Sequence, residues 1–542
     1  MKGYWEKSVV ALIAAALVLS IAYTGMAAMP DRDIVILYTN DVHCGVEDHI
    51  GYGGLAFYRN EMKKRTPYVT LVDAGDAVQG AVIGTISNGR YLIEIMNAMD
   101  YDLAVPGNHE FDYGMSQFEN FAKNLKCGYI CCNFKDAVTG QLVFEPYRIM
   151  KYGNTKVAFV GATTPDSVTS STPSSFMDAL GDYIYDFDGD KTGEKLSATI
   201  QKAVDNARDA GADFVILVGH LGENPPFKEW SALNVAARTR GIDAIIDGHS
   251  HEVTPCLMAK NLDGREIPVT QTGTKLQYIG QVTIDTKGKI TTELIEKVSG
   301  RDEKVDALIA ELKARYENTL KTRLGKTDFD LLAVDEKGEW LLRNAETNLC
   351  NFAADAFLAA AEGSADVAFV NAGNLRANMK AGELTYNDAL NVSPFGSTLC
   401  VCDVRGQTIL DELEMSARLM PQRSGGLLHP AGMTYTIDTS IPTSVQLDDK
   451  NVFAGVSGPR RVKDVMIGGK PLDPDKTYSV MASSYVLRER GDGHRFEGAR
   501  MTRPDFITDA DALAHYIKSF PTVPEQYKTP QGRMNVVGNG AK

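Results

Sequence analysis

Asn108, His109 and Asp112 stand close together in the stretch Pro106-Gly107-Asn108-His109-Glu110-Phe111-Asp112-Tyr113-Gly114. An amide oxygen can bind a metal, and an imidazole can donate a proton or hold a developing charge. A carboxylate three residues on can orient that imidazole if the chain turns back. One polar loop of this kind is ordinarily just a loop. Four further clusters give it weight: Asn40-Asp41-Val42-His43, Asp73-Ala74-Gly75-Asp76, Gly219-His220 and Asp247-Gly248-His249-Ser250-His251. Asp41 and His43 are two apart and share a face on an extended strand, as do His249 and His251. With Asp76, Asn108 and His220 they make a set of oxygen and nitrogen ligands too large for one tetrahedral zinc. The set suits two divalent ions with one carboxylate bridging. Such a pair can activate a hydroxide nucleophile and clamp an in-line displacement at phosphorus. No cysteine is among the candidates, which leaves zinc, manganese or another divalent ion open.

Each cluster follows a short apolar run of strand type: Ile34 to Leu37, Val69 to Val72, Leu103 to Val105, Phe214 to Val218 and Ala244 to Ile246. Strand-like runs alternate with helical stretches from Asp33 to about Ile290, the α/β pattern. Ligand sites in such folds lie beyond the carboxyl ends of the strands, so clusters at five strand ends can converge. Asp302 to Leu320 reads as one amphipathic helix with Val305, Leu308, Ile309, Leu312 and Tyr316 on one face. It is either the connector between domains or a helix of the first domain. A second α/β unit runs from about Arg323 to Val537. In it Trp340 to Ala361 reads as a helix, and a strand at Val367 to Val370 leads into Asn371-Ala372-Gly373-Asn374-Leu375-Arg376. The expected layout is an export segment at 1–28, a first domain at 31–300, a linker helix at 301–322 and a second domain at 323–538.

A chain of 542 residues is too long for one typical core. Its net charge of −14 argues against a nucleic-acid polymer as partner but not against a small phosphate ester, since bound metal ions reverse the local sign. Met1 to Ala28 has a basic start, an apolar run from Val9 to Ala22 and small residues at Gly25-Met26-Ala27. This predicts a cleaved export signal, with an uncleaved anchor as the alternative. The C-terminal residues carry no hydrophobic tail, so no lipid anchor is expected there. The expected location is periplasmic or extracellular. Of the eight cysteines, Cys127 with Cys131 or Cys132 is the most local possible pairing. Cys400 and Cys402 share a strand face as small apolar groups, and Cys44 reads as structural.

The order Asp-x-His, Gly-Asp, Gly-Asn-His-Glu, Gly-His, Gly-His-x-His resembles the calcineurin-like metallophosphoesterase superfamily. Thr39 to His43, Asp73 to Gly80 and Gly107 to Gly114 narrow the resemblance to the 5′-nucleotidase family, which includes periplasmic UDP-sugar hydrolases and ecto-5′-nucleotidases. The resemblance implies a four-layer α/β/β/α metallophosphoesterase domain followed by an α/β substrate domain. It implies one metal on Asp41, His43, Asp76 and His251 and another on Asp76, Asn108, His220 and His249. His109 and Asp112 match the family's catalytic pair. In the second domain Asn371 to Arg376 resembles the substrate loop. Phe395 and Tyr485 resemble a base-stacking clamp, and Asp492 a ribose-binding aspartate. Here Asn374 replaces a glycine, Tyr485 a phenylalanine, and Arg488-Glu489-Arg490 a smaller, glycine-containing segment. The arginine that ecto-enzymes carry late in a helix has no counterpart between Asn344 and Ala361.

The expected function is hydrolysis of nucleoside 5′-monophosphates. Cleavage of 2′,3′-cyclic nucleotides or UDP-sugars is the alternative on the same scaffold. The retained aromatics and Asp492 argue against thiosulfohydrolase chemistry, and the complete ligand set argues against a binding protein without catalysis.

Overall fold

Every residue of the strand Ile34–Thr39 is buried, which requires cover on both faces of its sheet. The computed structural model, which describes residues 27–538 apart from 172, 179–181 and 224–227, provides that cover. Ile34, Ile36 and Tyr38 point into an apolar cluster with Val157, Phe159, Ile216 and Val218. Val35 and Leu37 point the other way, among Leu55, Leu92 and Phe118. Two sheets therefore pack face to face, with helices on each outer side. Each fully buried Val, Leu, Ile or Phe contributes about 1.5–3 kcal/mol, so this alternation decides the register. The expected export segment falls almost wholly outside the described residues.

One sheet has five strands, in the order Ile290–Ile295, Ile279–Ile284, Ile34–Thr39, Val69–Asp73, Leu103–Ala104. The last three run parallel. The other has six, in the order Val253–Lys260, Glu266–Thr272, Ala244–Ile246, Phe214–His220, Thr155–Thr163, Tyr147–Tyr152. Thr155–Thr163, Phe214–His220 and Ala244–Ile246 are parallel. The helices Gly51–Arg65, Arg90–Ala98 and Met115–Asn124 cover the first sheet, and Glu194–Asp209 and Ala232–Arg238 the second. The four-layer arrangement is thus present.

The expected helix from Asp302 to Leu320 is broken. Glu303–Ala314 is helical, Tyr316 leaves helical geometry at φ −129°, and Glu317–Leu320 resumes. Asp302 caps the first piece, its carboxylate accepting from the Lys304 and Val305 amides at 3.0 and 3.2 Å. Val305, Ile309 and Leu312 pack into the first domain's helical layer.

The second domain holds a five-stranded sheet, ordered Leu428–Ala431, Val367–Asn371, Thr477–Ser483, Thr398–Arg405, Arg500–Thr508, and a four-stranded one. The expected helix from Trp340 to Ala361 is only Asn348–Ala360. Thr347 starts it, its hydroxyl accepting from the Cys350 amide at 3.3 Å, and Trp340 pairs instead with Val334 across a turn. None of the eight cysteines is in a disulfide among the described residues. Cys131 packs with the helices over one sheet and Cys132 with those over the other, while Cys400 and Cys402 are both buried in the second domain's core. Among the described residues, no helix is long and apolar enough to cross a membrane.

Candidate active site

The carboxyl ends of the parallel strands from both sheets meet at one edge of the first domain, and the five polar clusters meet with them. Asp41, His43 and His251 place ligand atoms within 4.8 Å of one another, as do Asp76, His220 and His249. The His43 and His251 Nε2 atoms are 3.0 Å apart, and His251 Nε2 is 3.3 Å from Asp41 Oδ1. His220 Nε2 lies 3.2 Å from Asp76 Oδ2 and 3.3 Å from Asn108 Oδ1, and His249 Nδ1 is 3.0 Å from the same amide oxygen. Asp76 Oδ2 is also 3.7 Å from His43 Nε2, which sets this carboxylate between the two groups.

The geometry that joins them is not the extended one expected from the spacing. Asp41, His43, Asp76, His249 and His251 all have φ between 45° and 81°. Each sits in a tight left-handed turn, so pairs two residues apart converge by curling. For residues with a Cβ this conformation costs of order 1–3 kcal/mol apiece, a pattern found where a site dictates the backbone. Two glycines permit the crowding. A Cβ on Gly107 would lie 2.2 Å from Asp76 Oδ1, and one on Gly75 2.7 Å from His220 Nδ1.

Surrounding groups point the ligand atoms inward. His220 Nδ1 is 2.7 Å from the Ala74 carbonyl and His43 Nδ1 is 3.0 Å from that of Gln79. Each Nδ1–H therefore donates outward and leaves an Nε2 lone pair facing the cluster. The Asn108 amide donates to Ser170 O at 3.1 Å, so its oxygen faces inward. Burial holds the His43 imidazole well below its ordinary value, the neutral form a metal needs. Burial opposes charge on His220 too, yet Asp76 and Asp41 outweigh it and hold His220 well above its ordinary value. The buried carboxylates of Asp41 and Asp76 call for positive charge beside them. Donor types, lone-pair directions and charge all fit two divalent cations.

His109 stands beside this cluster. Its Nδ1 is 2.6 Å from Asp112 Oδ2, and its amide donates to Asp76 Oδ1 at 2.8 Å. Burial disfavours the imidazolium, but Asp112 and Asp76 outweigh it and raise His109 above its ordinary value. The group can thus carry a proton or positive charge near neutral pH.

The second domain closes over these residues. A cavity of about 420 Å³ is lined by Asp76, Asn108, His109, Asp112, His249 and His251 from below, and by Asn371, Arg376, Phe395, Tyr485 and Asp492 from above. Asn371 ends the strand Val367–Asn371, Tyr485 follows Thr477–Ser483, and Phe395 precedes Thr398–Arg405. These three strands present the same end of one sheet, because the first two are parallel and the third is antiparallel to the second. The Phe395 and His109 rings are 6.0 Å apart. Tyr485 OH donates to Thr169 O at 3.1 Å, bridging the domains, and accepts from the Asp492 amide at 3.1 Å. Asn371 donates to the Asp492 carboxylate at 3.1 Å.

Four contributors escaped the sequence-level reading. Arg343 lines the cavity and lies over the Trp340 ring at 4.7 Å. Its buried Nε has no hydrogen-bond partner among the described residues. Burial, with Arg376 adding to it, lowers the guanidinium to about 10, still charged at neutral pH. Reading Trp340 to Ala361 as one helix had hidden it; the signal was Thr347, an N-cap residue four positions later. Glu110 accepts from the Gly107, Asp76 and Ala77 amides at 2.6, 2.8 and 2.8 Å, tying two ligand loops together. Asp247 does the same for Leu221 and Gly222, at 2.8 and 3.1 Å. Asp166 lies 3.5 Å from His249 Nε2. These three act through folded geometry and left no periodic trace.

The architecture and the site are those of a calcineurin-like phosphoesterase, and residues 34–253 match that family model. Residues 328–499 match the model of the 5′-nucleotidase C-terminal domain. The chain thus joins a calcineurin-like phosphoesterase domain to a 5′-nucleotidase C-terminal domain and is a metal-dependent phosphoester hydrolase. It is 27% identical to the snake venom 5′-nucleotidase of Naja atra, over 93% of this chain and 98% of that one. The fold superposes on a 5′-nucleotidase precursor from Thermus thermophilus with a TM-score of 0.76 at 23% identity, covering 93% of this chain and 99% of that one. It superposes on a sulfate thiohydrolase from the same organism with a TM-score of 0.68 at 20% identity, covering 95% and 98%. At these identities the structural likeness concerns the fold alone. The family relationship supports nucleotide phosphoesters as the substrate class.

Proposed function

We propose that the protein is an exported phosphohydrolase that converts nucleoside 5′-monophosphates to nucleoside and phosphate with two divalent ions, zinc or manganese. The observation that carries this reading is the single cavity that unites a histidine–carboxylate cluster from one domain with arginines and aromatics from the other. Asp41, His43, Asp76 and His251 would hold one ion, and Asp76, Asn108, His220 and His249 the other. When bound, the ions supply Lewis acidity and an activated nucleophile for displacement at phosphorus. The chain's own residues do the rest. Arg343 and Arg376 draw the phosphate to the metal end and offset its charge. His109, oriented by Asp112, stabilises the transition state or protonates the leaving ribose oxygen. Phe395 and Tyr485 stack on the base, and Asn371 and Asp492 bind the nucleoside. Grip on the remote base positions the phosphate for reaction.

This division of labour has a measurable consequence. Alanine at both Phe395 and Tyr485 should cut kcat/KM for AMP strongly, each lost stack costing about 1–3 kcal/mol. Hydrolysis of 4-nitrophenyl phosphate, which has no base to stack, should fall far less. Equal losses on both esters would show that the rings serve packing and the domain contact only. Export is supported by the apolar leader, and by relatives that are venom enzymes. N-terminal sequencing of the mature protein should begin near Ala28; an intact Met1 on membrane-bound protein would mean an anchor.

A further inference from the structure

Beyond the carboxyl end of the strand Thr155–Thr163 the chain runs through Thr164-Pro165-Asp166 into the short helix Ser167–Ser170. That strand is parallel to Phe214–His220, so this is a sixth strand end at the edge where the candidate ligands gather. Three groups from separate parts of the molecule meet on this one turn. Asp166 Oδ2 lies 3.5 Å from His249 Nε2. The Ser170 carbonyl accepts from the Asn108 side-chain amide at 3.1 Å. The Thr169 carbonyl accepts from the Tyr485 hydroxyl of the second domain, also at 3.1 Å. We propose that Asp166 is a positioning residue for the candidate metal site of Asp76, Asn108, His220 and His249, and that the turn it begins makes the filling of that site depend on the seating of the second domain. The inference rests on the two-metal reading above.

His249 is oriented differently from its neighbours. His43 and His220 turn Nδ1 to a backbone carbonyl and Nε2 to the cluster. His249 is reversed, with Nδ1 standing 3.0 Å from Asn108 Oδ1 and Nε2 facing Asp166. A proton on Nε2, directed at the carboxylate, fixes the tautomer whose Nδ1 lone pair faces the cluster. A carboxylate in that place also raises the basicity of the ligating nitrogen. Asp166 is only 4% exposed, and a carboxylate so buried is costly unless it is paired. Ser170 Oγ donates to its other oxygen at 3.4 Å, which ties the carboxylate back to the turn.

The turn is closed by its own hydrogen bonds. The Thr169 and Ser170 amides both donate to the Asp166 carbonyl at 2.8 Å, and Ser171 Oγ donates to the Ser167 carbonyl at 2.8 Å. Asp166, Thr169 and Ser170 therefore move together. A second domain seated on the Thr169 carbonyl holds Asn108 through Ser170 and His249 through Asp166. The other candidate site, on Asp41, His43, Asp76 and His251, shares only Asp76 with this one, so a disturbance of the turn should fall on one ion of the two.

The test titrates metal-stripped protein with Mn²⁺ and follows stepwise binding by calorimetry. Wild type should take up two equivalents. Asp166→Ala should keep one at its original affinity and bind the other about 10–100-fold more weakly. Asp166→Asn keeps an oxygen to face Nε2, so it should recover part of that loss. Tyr485→Phe lacks only the hydroxyl and should weaken the same equivalent about two- to tenfold. The unaffected equivalent reports an intact fold within each titration. Any of four results would overturn the proposal and leave the two-metal reading standing: Asp166→Ala binding both equivalents as tightly as wild type, equal weakening of both, an asparagine variant no better than alanine, or a Tyr485→Phe titration identical to wild type. A wild type that binds fewer than two equivalents would overturn both.

Discussion

Asp76→Asn should bind little metal at either position and lose turnover by about 10³-fold or more. The expectation follows from where the carboxylate stands. Its Oδ2 is 3.2 Å from His220 Nε2 and 3.7 Å from His43 Nε2, so it reaches the ligand atoms of both groups. Its Oδ1 accepts the His109 amide, which also fixes the loop that carries Asn108. Burial opposes its ionisation, but His220 and His109 outweigh that and hold it well below the usual carboxylate range, charged and ready to bind cations. Asparagine keeps the shape and removes the charge. A metal that lowers the barrier at phosphorus contributes several kcal/mol, and losing two should cost at least a thousandfold. Elemental analysis with steady-state rates checks this. Full metal content at a normal rate would remove Asp76 from the bridging position.

His109→Ala should behave differently, keeping its metals and losing about 10²–10⁴-fold in kcat. The His109 ring is held by Asp112 and stands between His43, 5.2 Å away, and Phe395, 6.0 Å away. One grouping of ligand atoms does bring His109 near His43 and Asp76, so the distinction needs measurement. Metal content that collapses in His109→Ala would make it a ligand; retained metal with lost kcat would support its role on the leaving oxygen.

The positions of the strand-end clusters were legible because strand and cluster alternate along the chain, and α/β sheets gather their carboxyl ends. The local geometry was not. Spacing placed Asp41 with His43 on one strand face, whereas both adopt left-handed turns. No periodicity announces such a conformation, because convergence across two sheets imposes it. Arg343 was hidden for a related reason, since Trp340 to Thr347 carry helix-compatible residues that the Val334 pairing and the Thr347 cap exclude from the helix. Likewise the apolar stripe from Val305 to Tyr316 gave no sign of the break at Tyr316. The second domain's loops were found through resemblance to a family. Composition alone would have left Phe395 and Tyr485 as ordinary core aromatics.

The proposed function requires two metals and the second domain to act together on a nucleoside 5′-monophosphate. Metal-stripped protein should therefore be titrated with Mn²⁺ or Zn²⁺ while phosphate release is followed from AMP, with 2′,3′-cyclic AMP and UDP-glucose in parallel. Stripped protein should release no phosphate, activity should saturate near two equivalents of metal, and kcat/KM should be highest on AMP. Undiminished release without metal, saturation at one equivalent, or a higher kcat/KM on the cyclic nucleotide or the UDP-sugar would contradict it.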